Sequence, residues 1–396
     1  MGKPLEGVRV LDLTRVLAGP FCTMMLSDLG AEIIKVEVPG TGDDSRSFGP
    51  FRNGKSLYFL NVNRGKESVA IDLKTAAGKR LLLDLAVKCD VLVENFRPGT
   101  MEKLGLGWDV LRKENPRLVY GAVSGFGHTG PDSGRPAYDI LVQAMGGVMS
   151  ITGWPDSPPT RVGLSMGDIT AAVFGATGIV TALYQREKTG RGQKVDVAML
   201  DCQLAILENA LVRYQVDGKP PAPLGTRHPT ITPFQAFRSS DAWFVVAVGN
   251  DSLWKNFCAA VERPDLLADG RFSTNGSRTK HYDELIPELE RTLARKPMAE
   301  WLVVFEKAGV PAAPVNDVEA VMKDRQLIAR NMFVTVDDPV AGTVTIPGNP
   351  IKMESVPESP TRPPAPEVGE HTDTVLRRVL GLDDAAIARL RADGAI

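Results

Sequence analysis

Asp168 stands in the stretch RVGLSMGDIT (161–170), among small and apolar residues and just ahead of the run AAVFGATGIVTALY. Carboxylates are rarely placed beside apolar surface unless something holds them there. Two readings fit the local pattern. As the N-cap or first-turn residue of a helix ITAAVFGATGIVTALYQREKTG, Asp168 would satisfy orphan backbone N–H groups, worth about 1 kcal/mol. As a nucleophile, held by backbone amides in a small-residue pocket, the same carboxylate would form an acyl intermediate. Gly167 would let a substrate approach the backbone closely. The two readings are compatible, and the residues alone leave both open.

Other stretches offer groups for a ligand. ENFRPG (94–99) ends an apolar run with Asn95, Phe96, Arg97 and a Pro-Gly turn. An aromatic ring beside a guanidinium suits a nucleotide, giving a face for the base and a fork for a phosphate; a loop-packing Phe with a solvated Arg fits equally. NRGKESVAIDLKTAAGK carries Arg64, Lys66, Lys74 and Lys79. Lys74, at a strand-to-helix turn, is the one placed to meet an anion, the others reading as solvated surface. SGFGHTG (124–130) has the G-x-G-x-x-G spacing, but Gly130 leads into PDSGRPAYD, which is loop chemistry. A dinucleotide fingerprint needs a helix to open there, so a glycine-rich loop lying close to other backbone is the better reading. The histidines, at 128, 228, 281 and 371, share no metal-ligand spacing, and no G-x-S-x-G elbow, P-loop or H-E-x-x-H is present. Hydrolase, kinase and metalloprotease chemistry therefore has no support.

The elements that would position these groups alternate. VRVLDL, EIIKVE, SVAIDL, DVLVE, RLVYGAVS and KVDVAML read as buried strands. Between them lie helical patterns: PFCTMMLSDLG with Gly30 at its C-cap, TAAGKRLLLDLAVKC, WDVLRKEN and the long helix after Asp168. A further helix is expected near 201–216. Strands separated by helices of this length predict a parallel sheet with crossover helices. A Pro/Gly-rich connector, VDGKPPAPLGTRHPT (216–230), precedes a hairpin around SSDA and helices near 251–261, 281–295 and 298–308, read as a smaller α+β domain. The Pro-rich stretch 355–372 reads as an extended strap before a short helical tail. The expected division is 1–215, 216–330 and 331–396, the last returning to the first.

The 396 residues carry a net charge of −2, with 43% hydrophobic and 24% charged residues. That is ordinary globular composition and suggests neither a nucleic-acid nor an anionic-membrane partner. No apolar stretch is read as a membrane span and no secretory leader is evident, so a cytoplasmic protein is expected. The four cysteines, 22, 89, 202 and 258, lie far apart and read as reduced core thiols.

Taken in order, LEGVRVLDLTRVLAGPFCTMMLSDLGAEIIKVE, VNRGKES, VENFRPG, YGAVSGFGHTGP, GDITAA, REKTGRGQKVDVAML and LGLDDAAIARLRADGAI resemble the class III CoA-transferases, also called the CaiB/BaiF family, along nearly the whole chain. The resemblance implies a Rossmann-like large domain with a smaller inserted one, and a homodimer of two chains threaded as interlocked rings. It implies acyl-CoA and carboxylic-acid substrates and no metal or organic cofactor. The aspartate matching Asp168 is the family's nucleophile, passing through an aspartyl–acyl anhydride and an aspartyl-CoA thioester.

CoA contacts carry over by position to Arg15, Val16 and Leu17, to Asp72, Leu73 and Lys74, and to Asn95, Phe96, Arg97 and Lys103. Tyr138 matches a tyrosine near the thioester. Val38 and Pro136 stand where the family often has Arg and Lys, which moves the expected phosphate contacts towards Arg135. Racemases of the same fold, acting on 2-methylacyl-CoA, carry His in a stretch resembling AGHD; here PAYD offers Tyr138, so transfer is favoured over proton exchange. A non-catalytic acyl-CoA-binding protein is the alternative from another class. PLGTRHPTITPFQAF lacks the glycine-rich loop of formyl-CoA transferases, which argues against oxalate/formate exchange, and resembles the enzymes acting on dicarboxylates, those exchanging succinyl-CoA and glutarate among them. There Arg227 and His228 would pair with a distal substrate carboxylate, or Arg227 would serve in a salt bridge instead.

Overall fold

In the computed structural model, which describes residues 2–396, the predicted strands assemble into one six-stranded parallel sheet. The strands are β1 (Arg9–Asp12), β2 (Glu32–Glu37), β3 (Glu67–Ala70), β4 (Val91–Glu94), β5 (Val119–Ser124) and β6 (Lys194–Ala198), in spatial order β3-β2-β1-β4-β5-β6. Leu11 of β1 lies opposite Ile34 of β2 on one side and Leu92 of β4 on the other. Successive side chains point to opposite faces, and both faces of the central strands are covered, which is why consecutive apolar residues such as Val10–Leu11, Ile33–Ile34 and Val91–Val93 are all buried. Leu11, Ile34, Leu92 and Tyr120 pack against Leu81, Leu82 and Leu85 of α3 (Ala76–Val87). Val10, Ile33, Val91 and Val119 pack against Cys22 and Leu26 of α1 (Ala18–Asp28) and Ala172, Ala176 and Ile179 of α5 (Met166–Thr189). Between these elements lie α2 (Leu57–Asn63) and α4 (Asp139–Met145), which the sequence reading did not single out, and α6 (Met199–Ala205) follows β6.

One expectation is corrected by α5. Its 24 residues are long and apolar enough to cross a membrane by length and composition. Small residues on one face let it lie close to the sheet: a Cβ on Gly175 would sit 3.2 Å from Val123 and 3.4 Å from the Cys22 sulfur. Val173, Phe174, Val180 and Tyr184 of the same helix are exposed.

The chain divides into two compact units, one of residues 1–149, 161–212 and 325–396, the other of residues 150–160 and 213–324. Residues 150–160 thus group with the smaller unit rather than with the segment 1–215. The smaller unit has an antiparallel sheet of β7 (Phe234–Arg238), β8 (Trp243–Ala247) and β9 (Ala312–Pro314), with α7 (Asp251–Ala260), α8 (Tyr282–Leu293) and α9 (Met298–Ala308). Its core is aromatic, with Trp254, Phe257, Phe305 and Trp301 stacked in sequence at 5.5–5.7 Å between ring centres.

The segment after 325 returns to the large unit. β10 (Phe333–Asp338) and β11 (Gly342–Pro347) form a hairpin joined by β12 (Thr361–Arg362), none of which was foreseen. The tail is two helices rather than one, α10 (Thr372–Leu380) and α11 (Asp384–Ala392), whose Val375, Leu376 and Ile387 enter the core over α3. His371 N–H donates to the Ser68 carbonyl at 2.9 Å, and Asp72 N–H to the Ala395 carbonyl at 2.8 Å.

A buried ionic layer sits at the carboxyl end of β1. Lys66 Nζ pairs with Asp12 at 3.0 Å with both side chains fully buried, and also donates to Asn63 Oδ1 and to the Pro20 carbonyl. Burial pushes the Lys66 ammonium down to about 8 against the pull of Asp12. Removing one partner would leave an uncompensated buried charge. Lys66→Met is therefore expected to lower the unfolding free energy by about 3–5 kcal/mol, read from urea denaturation at pH 7.

Candidate active site

The strand order reverses between β1 and β4, and ligands of open parallel sheets bind outside the carboxyl ends of the strands at such a point. A cavity of about 270 Å³ lies there. The loop after β1 supplies Arg15, Val16, Leu17 and Ala18, and the loop after β4 supplies Asn95, Phe96, Arg97 and Pro98. Ser124 and Gly125 follow β5; Arg135, Tyr138, Asp139 and Asp168 complete the lining. A second cavity, about 370 Å³, shares Arg15 and Phe96 with the first and is lined further by Asp72, Leu73, Lys74 and Val38. Its walls are the loops after β2 and β3.

The structure thus gathers most of the predicted residues around two spaces that share Arg15 and Phe96; Lys103, which is exposed, lines neither, and nor do Arg227 and His228. Arg227 and His228 belong to the smaller unit, where Arg227 lies over the Tyr282 ring at 3.5 Å and His228 packs on Phe234 at 5.3 Å. Asn95 lines the cavity, but its amide is committed to the Arg15 backbone, accepting from N–H and donating to the carbonyl at 2.8 Å each. SGFGHTG opens no helix, the next one being α4. A Cβ on its Gly125 would lie 2.0 Å from that of Ala137, so its close neighbour is the following loop rather than a pyrophosphate.

At Asp168 the expected first-turn position holds, but the expected hydrogen bonding does not. The N-cap position of α5 falls at Ser165, leaving Asp168 as its third residue. Nor do backbone amides hold the carboxylate: among the described residues it has no hydrogen-bond or ion-pair partner. The amide beside it, Gly167 N–H, donates to Asp139 Oδ1 at 2.7 Å. Asp139 Oδ2 accepts from Gln143 Nε2 at 2.8 Å and faces Arg161 at 3.5 Å. So the adjacent carboxylate takes Gly167 N–H, Gln143 and Arg161, and Asp168 is left half-buried and bare. Burial first, and the charge of Asp139 second, push its carboxyl up to about 7. A carboxylate without partners, on the floor of a cavity, is a ready nucleophile and a poor structural element.

Two groups went unread in the sequence. Asp139 stands beside Tyr138 in PAYD with no motif to mark it. Tyr58, at the start of α2, is held protonated by burial and by the nearby charges of Asp168, Asp43 and Asp139, its hydroxyl pushed up to about 12. Neither had a local signature, since the partners of each come from distant segments.

A family model for CoA-transferase family III matches residues 5–372. The chain belongs to that family. Family III relatives include an acetyl-CoA:oxalate CoA-transferase of Acetobacter aceti, 47% identical over 93% of each chain. A succinyl-CoA:glutarate CoA-transferase of Mus musculus is 41% identical over 100% of this chain and 90% of the relative. Among solved structures, a CaiB/BaiF family protein from Brucella suis superposes with a TM-score of 0.84 at 36% identity, covering 96% of this chain and 100% of that one. As a family III member the chain is a CoA-transferase, and the six-stranded parallel sheet is the fold it shares with CaiB/BaiF proteins.

Proposed function

We propose that this chain moves CoA from an acyl-CoA donor to a dicarboxylic acid, with Asp168 as the covalent carrier. The observation that carries the reading is the partnerless Asp168 carboxylate at the meeting of the β1 and β4 loops. The carboxylate attacks the thioester carbonyl and expels CoA thiolate, leaving an aspartyl–acyl anhydride. The thiolate attacks the Asp168 carbonyl of that anhydride, releasing the donor acid and forming an aspartyl-CoA thioester. The acceptor carboxylate then displaces the thiolate to form a second anhydride. Thiolate attack on the acceptor acyl carbon yields the new acyl-CoA and regenerates Asp168. Each step exchanges acyl bonds of similar energy, and no redox partner or metal is required by the balance.

The surroundings support this sequence. Leu17 and Ala18, at the start of α1, line the cavity beside Asp168, and no side chain caps that helix. Helix-terminal amides there suit the oxyanion formed at each tetrahedral stage. Phe96 and the cations Arg15, Arg97 and Lys74 suit the nucleotide end of CoA, and Arg135, beside Pro136, suits its phosphates. Both succinate–glutarate and acetate–oxalate exchange appear in the names of relatives, so the acceptor is a short dicarboxylate, oxalate included. Arg227 and His228 remain candidates for its distal carboxylate. We also propose a cytoplasmic homodimer of interlocked rings, for which the exposed apolar face of α5 offers a partner surface.

Incubation with succinyl-CoA is expected to mark Asp168 covalently. Hydroxylamine quenching followed by peptide mass spectrometry should show an aspartyl hydroxamate at that residue and nowhere else. An unmarked Asp168 in an enzyme that turns over would overturn the mechanism.

A further inference from the structure

On the wall of the first cavity one peptide is held against its preference. Val16 has φ of 69°, in the left-handed region that a β-branched residue avoids. Such strain persists only where the surroundings over-determine it. Here the preceding Thr14 carbonyl accepts from Lys35 Nζ at 2.8 Å, and the Arg15 peptide groups are tied on both sides by Asn95. The Val16 N–H itself donates to Asp43 Oδ1 at 3.1 Å.

Asp43 is a firm anchor. Its Oδ2 pairs with Lys35 Nζ at 2.9 Å with both side chains fully buried, and its Oδ1 also accepts from Ser45 N–H and Oγ at 2.9 and 2.7 Å. One lysine therefore steadies both the Thr14 carbonyl, two residues before the strained one, and the carboxylate that takes the Val16 N–H. The next residues, Leu17 and Ala18, open α1 and line the cavity with Asp168.

We propose that Asp43, fixed by Lys35, is a positioning residue for acyl transfer: by holding the Val16 N–H it enforces the left-handed backbone that aims the first peptides of α1 at the thioester carbonyl. This rests on the reading of Asp168 as the nucleophile. Asp43 touches no reacting atom; it acts through Val16. Glycine populates the left-handed region freely, so a glycine at position 16 needs less holding.

The test compares wild type, V16G, D43A and D43A/V16G in single-turnover reactions with succinyl-CoA. It follows Asp168 adduct formation by intact mass, CoA affinity by calorimetry and the thermal midpoint. D43A is expected to slow adduct formation on the order of 100-fold, with the Kd for CoA changed less than about threefold. V16G alone should cost a few-fold, yet in the D43A background it should restore at least about tenfold. A purely structural role for Asp43 does not produce that reversal of sign. Additive losses, or a D43A defect equally large in CoA binding, overturn the proposal. D43A strips a buried pair, so N95A and N95A/V16G decide by the same criterion if it fails to fold: about tenfold slower, and recovered by V16G, or else overturned. Absence of an adduct in wild type would instead bring down the Asp168 reading, and the proposal with it. A wild-type adduct formed just as fast by D43A would bring down the positioning role alone.

Discussion

Asp168→Asn is expected to lower kcat by about 10⁴-fold or more while leaving CoA affinity nearly unchanged. The amide is almost isosteric but cannot attack a thioester. Nothing in the fold is lost with the charge, because the carboxylate has no partner to strand. Stability should in fact move the other way. The folded-state carboxyl lies near 7, above its ordinary value of 3.8, so its contribution is full below the unfolded value and lost as pH rises through the folded one. At pH 8 the wild type therefore holds an unpaired, half-buried charge that asparagine does not. The variant is expected to melt a few degrees higher at pH 8, with the difference closing towards pH 4, as measured by calorimetry. An aspartate serving the fold would lose activity and stability together; gain of one with loss of the other marks a residue kept for chemistry.

The second large effect is expected at Asp139. Only the ionised Asp168 is a nucleophile, so kcat/KM should rise with pH and level off above about 7. Burial is the first cause of that raised value and stays in Asp139→Asn; the neighbouring charge, the second cause, is removed. The acid limb should therefore move down by roughly half to one unit without reaching an ordinary carboxylate. The rate should also fall about 100-fold, because asparagine cannot serve Gly167 N–H, Gln143 Nε2 and Arg161 at once and the first turn of α5 loosens. A pH–rate profile from 5 to 9 separates the two effects. A slower enzyme with an unmoved limb would reduce Asp139 to a prop.

What was legible in the sequence follows from how local each cause is. EIIKVE declares a buried strand through Ile33, Ile34 and Val36, which occupy both faces, and β2 spans those six residues. ENFRPG and the LTRVLAGP turn could be assigned to strand ends, and parallel topology then brings strand ends together whatever the loops contain. Val16 shows the opposite case. Nothing in a valine announces a positive φ; the cause is Asp43, from another loop. Asp139 is similar, for its carboxylate is dressed by residues 143, 161 and 167, a set that exists only after α4 and α5 have packed. At Asp168 the residues alone left cap and nucleophile both open, the ordered motifs favoured the nucleophile, and only the distant competitor for the neighbouring amide shows that it caps nothing. The β10–β11 hairpin, by contrast, was readable. FVTVDD alternates with Val334 and Val336 inward, a period-2 signal passed over beside the Pro-rich stretch that follows it.

The hydrogen bond from Asp72 to Ala395 ties the order of synthesis to the order of assembly. The wall of the second cavity is translated early, yet its Asp72 N–H gains its backbone acceptor only once residue 395 has been made. By then residues 213–324, with their own aromatic core, have long been available to fold as a unit. A nascent chain can thus carry Asp168 and the whole parallel sheet while the edge that would grip a nucleotide is still open. On the proposed reading, the aspartate that carries the acyl group is therefore in place before Ala395 can close the Asp72 edge of the second cavity.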